Sequence, residues 1–129
     1  MAYVSAEMTK AVRKALKEKM PGWKIRVAKN ARSSGIYLTI AESPKEIDLD
    51  LEFQDNDRRE LGYMEVNHYF IEQYAFHEHY QKILDIMKEA TASVGRPFYD
   101  ESDIQTDYFN TAYYYYLRIG SYEKPYIKN

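Results

Sequence analysis

The chain of 129 residues contains no cysteine, which excludes disulfide bonds, thiolate metal sites and a cysteine nucleophile. It has no apolar run near the ~20 residues that span a bilayer, and its first residues lack the apolar segment of a signal peptide. These absences predict a cytoplasmic protein that makes no membrane contact. The length suits a single domain, residues 1–129, with a real hydrophobic core.

Recognisable catalytic motifs are missing as well. Ser33 and Ser34 lie in NARSSG, which is neither a Gly-x-Ser-x-Gly turn nor, with its single glycine, a phosphate-binding loop of the P-loop type. His68, His77 and His79 do not have the spacing of a zinc site. We therefore expect a protein that is not an enzyme and that holds no metal ion and no cofactor.

The net charge of −2 hides a marked asymmetry along the chain. Residues 1–32 carry a net charge of +7, and residues 33–129 carry −9. The overall balance argues against a protein that coats DNA, but the basic block permits contact with nucleic acid on one patch. The candidate phosphate-binding residues are Lys10, Arg13, Lys14, Lys17, Lys24, Arg26 and Arg32. Internal pairing with acidic side chains is the other interpretation of this block.

The N-terminal third reads as a helix followed by a hairpin. Apolar residues recur every four positions over 6–20, Ser5 is a suitable N-cap, and Pro21-Gly22 ends the pattern. Apolar and polar residues then alternate over two short stretches around residues 23–27 and 36–40. Alternation of this kind is typical of half-buried strands, and the polar loop between them predicts a hairpin.

The rest of the chain predicts two more strands, a second helix and a long final strand. Residues 47–53 alternate cleanly, residues 62–71 alternate less cleanly, and residues 75–94 have helical spacing. The tyrosine-rich final strand covers 108–119, and Pro125 limits any later strand to an edge. The predicted fold is an α+β two-layer sandwich, with two helices on one face of a four- to five-stranded, mainly antiparallel sheet.

Three carboxylates share one face of the predicted strand at 47–53: Asp48, Asp50 and Glu52. Carboxylates at this spacing suit a magnesium or calcium ion, and a metal-dependent hydrolase is one alternative function. The other interpretations are a solvated strand face, a match for the basic strand of Lys24 and Arg26, or an acidic contact surface that imitates nucleic-acid phosphates.

Tyrosine dominates the end of the chain. Residues 103–126 hold seven of the fourteen tyrosines, four of them consecutive at 113–116. Alternation on the predicted strand places Tyr113 and Tyr115 towards the helices. It places Tyr108, Tyr114, Tyr116 and Arg118 on the opposite, open face. Exposed tyrosines beside an arginine are typical of binding hot spots, so this set is the candidate partner-binding surface and a candidate homodimer contact. The other interpretation is that an edge strand or a loop covers these rings and that they only complete the fold.

The closing segment resembles that of a phage- and plasmid-borne family, the large-polyvalent-protein-associated domains, which end in a "DYF…YY…IG…KPY" stretch. The residues that carry this resemblance are Asp107, Tyr108, Phe109, Tyr113, Tyr114, Ile119, Gly120, Lys124, Pro125 and Tyr126. The opening, TKAVRKALKEKMPGWKIRV, is similar to the family's lysine-rich helix, Pro-Gly break and strand. The resemblance covers residues 9–40 and 99–126, leaves the middle unmatched and transfers no catalytic residue.

The resemblance implies a bacterial cell as the setting and a mobile genetic element as the source. The leading expectation is a small non-enzymatic accessory protein that binds and inhibits a bacterial host or defence protein, such as a CRISPR effector. Acidic residues of the predicted strand at 47–53 and the tyrosine strand would supply the contacts. A nucleic-acid-binding accessory protein and a metal-dependent hydrolase remain the alternatives.

Overall fold

A computed structural model describes residues 2–52, 63–100, 111–120 and 126–128 of the chain. The fold is α+β, as the sequence predicts: two helices pack on a sheet. The helices are α1 (Ala6–Lys19) and α2 (His77–Ser93). The strands are β1 (Lys24–Lys29), β2 (Gly35–Ser43), β3 (Met64–Val66), β4 (Tyr114–Ile119) and β5 (Ile127–Lys128). Two 3₁₀-helices, Leu49–Glu52 and His68–Gln73, flank β3.

The sheet is mixed, with strand order β1-β2-β4-β3. β1 pairs with β2 and β3 pairs with β4, both antiparallel, whereas β4 and β5 run parallel to β2. The mainly antiparallel sheet predicted from the short connections is therefore corrected to a mixed one. A parallel pair needs a crossover connection, and here α2 lies within the long stretch between β2 and β4.

α1 forms as its sequence predicts. The Ser5 hydroxyl accepts a hydrogen bond from the Met8 amide at 3.2 Å, and the Met8 sulfur accepts one from the Ser5 amide. The four-residue repeat of Met8, Val12, Leu16 and Met20 is buried, and α1 packs against α2 and β1. Both helices thus cover the same side of the sheet, where Ile36, Leu38 and Ile40 of β2 are buried.

The strand predicted at 47–53 is wrong. Its described part turns after Pro44, whose carbonyl accepts from the Ile47 amide at 2.9 Å, and then forms the 3₁₀-helix Leu49–Glu52. The Ser43 hydroxyl holds this turn by donating to the Ile47 carbonyl at 2.7 Å. Leu49 and Glu52, three residues apart, are both buried, and a 3₁₀-helix places residues at that spacing on one side.

The strand predicted at 62–71 is shorter than expected, because β3 ends at Val66. The side chain of Asn67 accepts from the Tyr69 amide at 3.0 Å and starts the second 3₁₀-helix, which displaces Tyr69 and Phe70 from the sheet.

Within the described parts of the chain, no helix is both long enough and apolar enough to cross a membrane.

Candidate binding face

The alternation predicted for the tyrosine strand is confirmed over β4. Tyr113, just before the strand, is buried with Leu117 and Ile119 on the helix side. Its hydroxyl bonds to Thr91 Oγ1 of α2 at 2.8 Å. Tyr114 and Tyr116 lie on the other side, with 43% and 39% of their surfaces exposed. Tyr108 was also predicted to lie on this side, but it is outside the described residues. Arg118, the last residue of the predicted set, is described below.

The open side of the sheet carries a stacked pair of tyrosine rings. The parallel register of β2 and β4 places Tyr37 opposite Tyr116. Their ring centroids are 4.9 Å apart, with an interplanar angle of 27°. Offset stacking of this kind holds both rings in one orientation. Tyr37 was not among the predicted contact residues: its alternation in β2 is visible in the sequence, but its pairing with β4 is not.

Arg118 is held against this pair. Its Nε donates to Thr39 Oγ1 at 2.7 Å, and its guanidinium carbon lies 5.0 Å from the centroid of the Tyr37 ring. Thr39 is itself buried beneath the face. A hydrogen bond and a cation–π contact together fix a side chain that would otherwise sample many rotamers. The predicted placement of Arg118 on the open side is thereby confirmed.

One row of residues crosses the open side from edge to edge. Arg26 pairs with Thr39, Thr39 pairs with Arg118, and Arg118 pairs with Glu65. Arg26 is half-buried, and its Nη1 atom is buried without a hydrogen-bond partner. We refer to Arg26, Tyr37, Tyr114, Tyr116 and Arg118 together as the open face.

More aromatic surface borders the open face next to β3. Tyr69 and Phe70 are 79% and 65% exposed on the 3₁₀-helix that follows β3. Burial raises the pKa of the Tyr116 hydroxyl, and the neighbouring Tyr37, Tyr114 and Tyr69 hydroxyls and Glu65 raise it further. Sequence analysis missed Tyr69 and Phe70 because it placed them in a continuous strand.

The described members of the predicted carboxylate stripe, Asp48 and Glu52, do not lie on a strand. Glu52 is only 6% exposed, and its Oε1 accepts from the Ala75 amide at 2.9 Å. It lies beside Tyr80, whose pKa is raised by burial and by the Glu52 charge. Asp48 is half-buried, and the side chain of Asp50 lies outside the described residues. Because Asp48 precedes the 3₁₀-helix and Glu52 is buried at its end, these two carboxylates do not share one strand face.

The histidines are engaged separately. His68 packs between Tyr69 and Tyr115, at centroid distances of 4.2 and 4.4 Å. Nδ1 of His77 lies 2.9 Å from the Tyr74 carbonyl oxygen, and His79 packs on Trp23. In the part of the chain that the structure describes, no group of three or more histidine and acidic side chains could hold a metal ion.

The basic residues split between two sides of the molecule. Lys10, Lys14 and Lys17 are exposed on α1, and Arg32 is exposed in the β1–β2 loop. Arg26 lies on the open face instead, so the continuous basic patch considered from the sequence does not include it. A cleft of 320 Å³ at the end of α1 does bring Arg13, Lys17 and Lys24 together.

Arg13 also has a structural role. Its Nη2 donates to the Val27 carbonyl at 2.9 Å, which ties α1 to β1. A carbonyl satisfied in this way is withdrawn from pairing with another chain. Arg13 is thus committed to the fold and is less available to a phosphate than the exposed lysines of α1.

Comparisons with family models, curated proteins and solved structures found no match. The resemblance of the closing segment to the large-polyvalent-protein-associated domains therefore stays a prediction.

Proposed function

We propose that this protein is a non-enzymatic binding protein that captures a partner protein through its open face. One observation carries the proposal: Tyr114 and Tyr116 are exposed beside an Arg118 that is already fixed by Thr39 and Tyr37. Tyrosine and arginine are enriched among the residues that dominate binding energy at interfaces.

The order of these side chains before binding favours affinity. Immobilising a side chain at an interface costs about 0.5–1.5 kcal/mol, and stacked rings and a tethered guanidinium have met much of that cost in the free protein. The rings also remain partly open to solvent, so a partner that covers them gains apolar burial at about 25 cal/mol per Å². The exposed ring of Tyr69, which lies close enough to Tyr116 to raise the pKa of its hydroxyl, extends the aromatic area beyond the sheet.

The family resemblance extends this proposal to a biological setting. It suggests an accessory protein of a phage or other mobile element, acting in the bacterial cytoplasm by occluding a host or defence protein such as a CRISPR effector. The large share of contact-forming aromatic residues, 16% of the chain, fits a protein whose task is to bind.

The test is capture from bacterial lysate by the tagged protein, with and without nuclease treatment, read by mass spectrometry. We expect specific protein partners that survive nuclease and are lost when Tyr114→Ala and Tyr116→Ala are combined. Tyr3→Ala removes an exposed tyrosine ahead of α1 and is the matched control. Thermal unfolding of each variant separates loss of binding from loss of the fold. Partners retained by the double variant would refute the role of the open face.

The exposed lysines of α1 and the cleft that Lys17 and Lys24 line favour a second candidate function, nucleic-acid binding. It predicts a mobility shift of oligonucleotides at low salt that weakens steeply as salt is added. Replacing Lys10, Lys14 and Lys17 by glutamine should remove the shift. No shift at low salt would eliminate this candidate.

A further inference from the structure

The open face holds two arginine side chains in one row, Arg26 and Arg118, and Glu65 is the acidic neighbour of Arg118 in that row. Arg26 and Arg118 flank Thr39 in one row, and neighbouring strands lie about 4.8 Å apart, which separates the two Cα atoms by roughly 10 Å. Two guanidinium groups can converge on one small group across that distance. Within the described part of the chain, neither arginine forms an ion pair.

The hydrogen-bonding capacity of the two side chains is also unfilled. Arg118 uses its Nε for Thr39, which leaves its terminal nitrogens beside the ring of Tyr37. Arg26 has an Nη1 atom that is buried and has no acceptor. A buried donor without a partner is costly, and a guanidinium donor is satisfied best by a carboxylate or phosphate, which can accept two parallel bonds.

We propose that the partner protein presents an acidic side chain, aspartate or glutamate, which binds between Arg26 and Arg118 while its flanking residues cover Tyr116 and Tyr114. This inference rests on the proposed function, since it names the chemistry that the open face recognises. The carboxylate would accept from the terminal nitrogens of Arg118 and, once the half-buried Arg26 side chain turns its guanidinium group outward, from Arg26 as well. The tyrosine rings would exclude water from the resulting pairs.

The charge pattern favours a peptide over a nucleic acid as the occupant. Glu65 pairs with Arg118 in the same row, so the row reads positive, neutral, positive, negative from β1 to β3. A phosphate backbone is uniformly negative and would meet Glu65 unfavourably, whereas a polypeptide can match both signs. The exposed lysines that would track phosphates lie on α1, which covers the opposite side of the sheet.

The experiment is selection from a displayed library of random twelve-residue peptides on the immobilised full chain. We expect enrichment of aspartate and glutamate beside apolar residues. In titrations of the selected peptides, Arg118→Gln and Arg26→Gln should each weaken binding about 10- to 100-fold, the range expected for loss of a hydrogen bond to a charged group. Arg118→Lys keeps the positive charge but loses the planar guanidinium group that can form two parallel hydrogen bonds to a carboxylate. It should weaken binding less than Arg118→Gln.

The control combines Lys45→Gln and Lys82→Gln, which lowers the net charge by removing exposed lysines outside the open face. This variant should bind the selected peptides like the unmodified protein. An equal loss in the control, no acidic enrichment, or no selected peptide at all would overturn the proposal. Displacement of the peptides by single-stranded oligothymidylate that itself binds more tightly would also overturn it, in favour of nucleic acid.

The two proposals fail in different ways. If the selected peptides lose affinity with Tyr114→Ala and Tyr116→Ala but not with the arginine variants, partner binding through the open face is supported. The proposed carboxylate site between Arg26 and Arg118 is then wrong. If only the arginine variants lose affinity, the carboxylate site between Arg26 and Arg118 is supported. The contact with Tyr114 and Tyr116 in the proposed function is then wrong.

Discussion

The ring of Tyr116 lies directly over the backbone of Gly35. A Cβ atom on Gly35 would lie 3.0 Å from Cε2 of Tyr116. It would lie 3.2 Å from both the side-chain Nδ2 of Asn30 and the backbone carbonyl oxygen of Tyr114. This contact explains how a ring as large as tyrosine lies flat enough on the sheet to stack on Tyr37. Gly35 thereby helps to shape the open face.

Gly35→Ala should displace Tyr116 and destabilise the fold by about 1–3 kcal/mol, the range for adding a methyl group where the structure is tightly packed. Urea unfolding measures the cost. The double-mutant cycle with Tyr116→Ala is the control, because the cost should shrink once the ring is absent. An unchanged cost in the Tyr116→Ala background would show that Asn30 or the Tyr114 carbonyl, not the ring, is the obstacle.

Tyr113→Phe should destabilise the protein by about 1 kcal/mol, because the variant loses the buried hydrogen bond to Thr91 while its ring stays in place. Thr91 Oγ1 retains its contact with the Lys88 carbonyl, which limits the loss. Tyr114→Phe changes an exposed hydroxyl and should have a smaller effect. Equal unfolding free energies for Tyr113→Phe and the unmodified protein would contradict this prediction.

The protein should lose stability in alkali. Burial and the Glu52 charge raise the pKa of Tyr80 above its ordinary value of 10.0, so the unfolded chain releases this proton before the folded protein does. The stability that Tyr80 contributes is therefore full below about pH 10 and falls as the pH rises further. Urea midpoints between about pH 8 and pH 11 measure the loss, and Tyr80→Phe should make it shallower. The same slope in both proteins would exclude Tyr80 as the cause.

The protein should also lose some stability in mild acid through His68. Burial between aromatic rings, with a smaller effect from Lys88, lowers the pKa of His68 below its ordinary value of 6.5. The unfolded chain then takes up the proton first, so stability is full above about pH 6.5 and falls as the pH decreases. Unfolding free energies between about pH 7.5 and pH 5 test this, with His68→Phe expected to flatten the curve. NMR titration of the ring gives an independent reading, and a pKa at or above 6.5 would contradict it.

Local patterns in the sequence predicted those elements whose side chains repeat with one period and whose ends carry strong signals. α1 has its N-cap at Ser5 and its four-residue apolar repeat, and both signals relate residues only three or four positions apart. The alternation of β4 likewise follows from strand geometry alone, which is why the sides of Tyr114 and Tyr116 were predicted correctly.

The segment from Ile47 shows where that reasoning fails. Its alternation resembles a strand, but its backbone is turned by the Pro44 carbonyl and by the hydroxyl of Ser43, which also bonds to Tyr126. Tyr126 is 83 residues away from Ser43 along the chain. No window around residue 47 contains that contact, so the pattern alone could not distinguish a strand from a 3₁₀-helix.

The α+β class, the two helices and the two sides of the tyrosine strand follow from the amino-acid sequence alone, because they depend on residues near one another in the chain. The choice of neighbouring strands is a property of the packed fold. It creates the Tyr37–Tyr116 stack, the hydrogen bond of Arg118 to Thr39 and the row from Arg26 to Glu65. Parallel pairing of β2 with β4 joins residues about eighty positions apart, and its register is set by packing of the whole core. The open face is a product of that pairing.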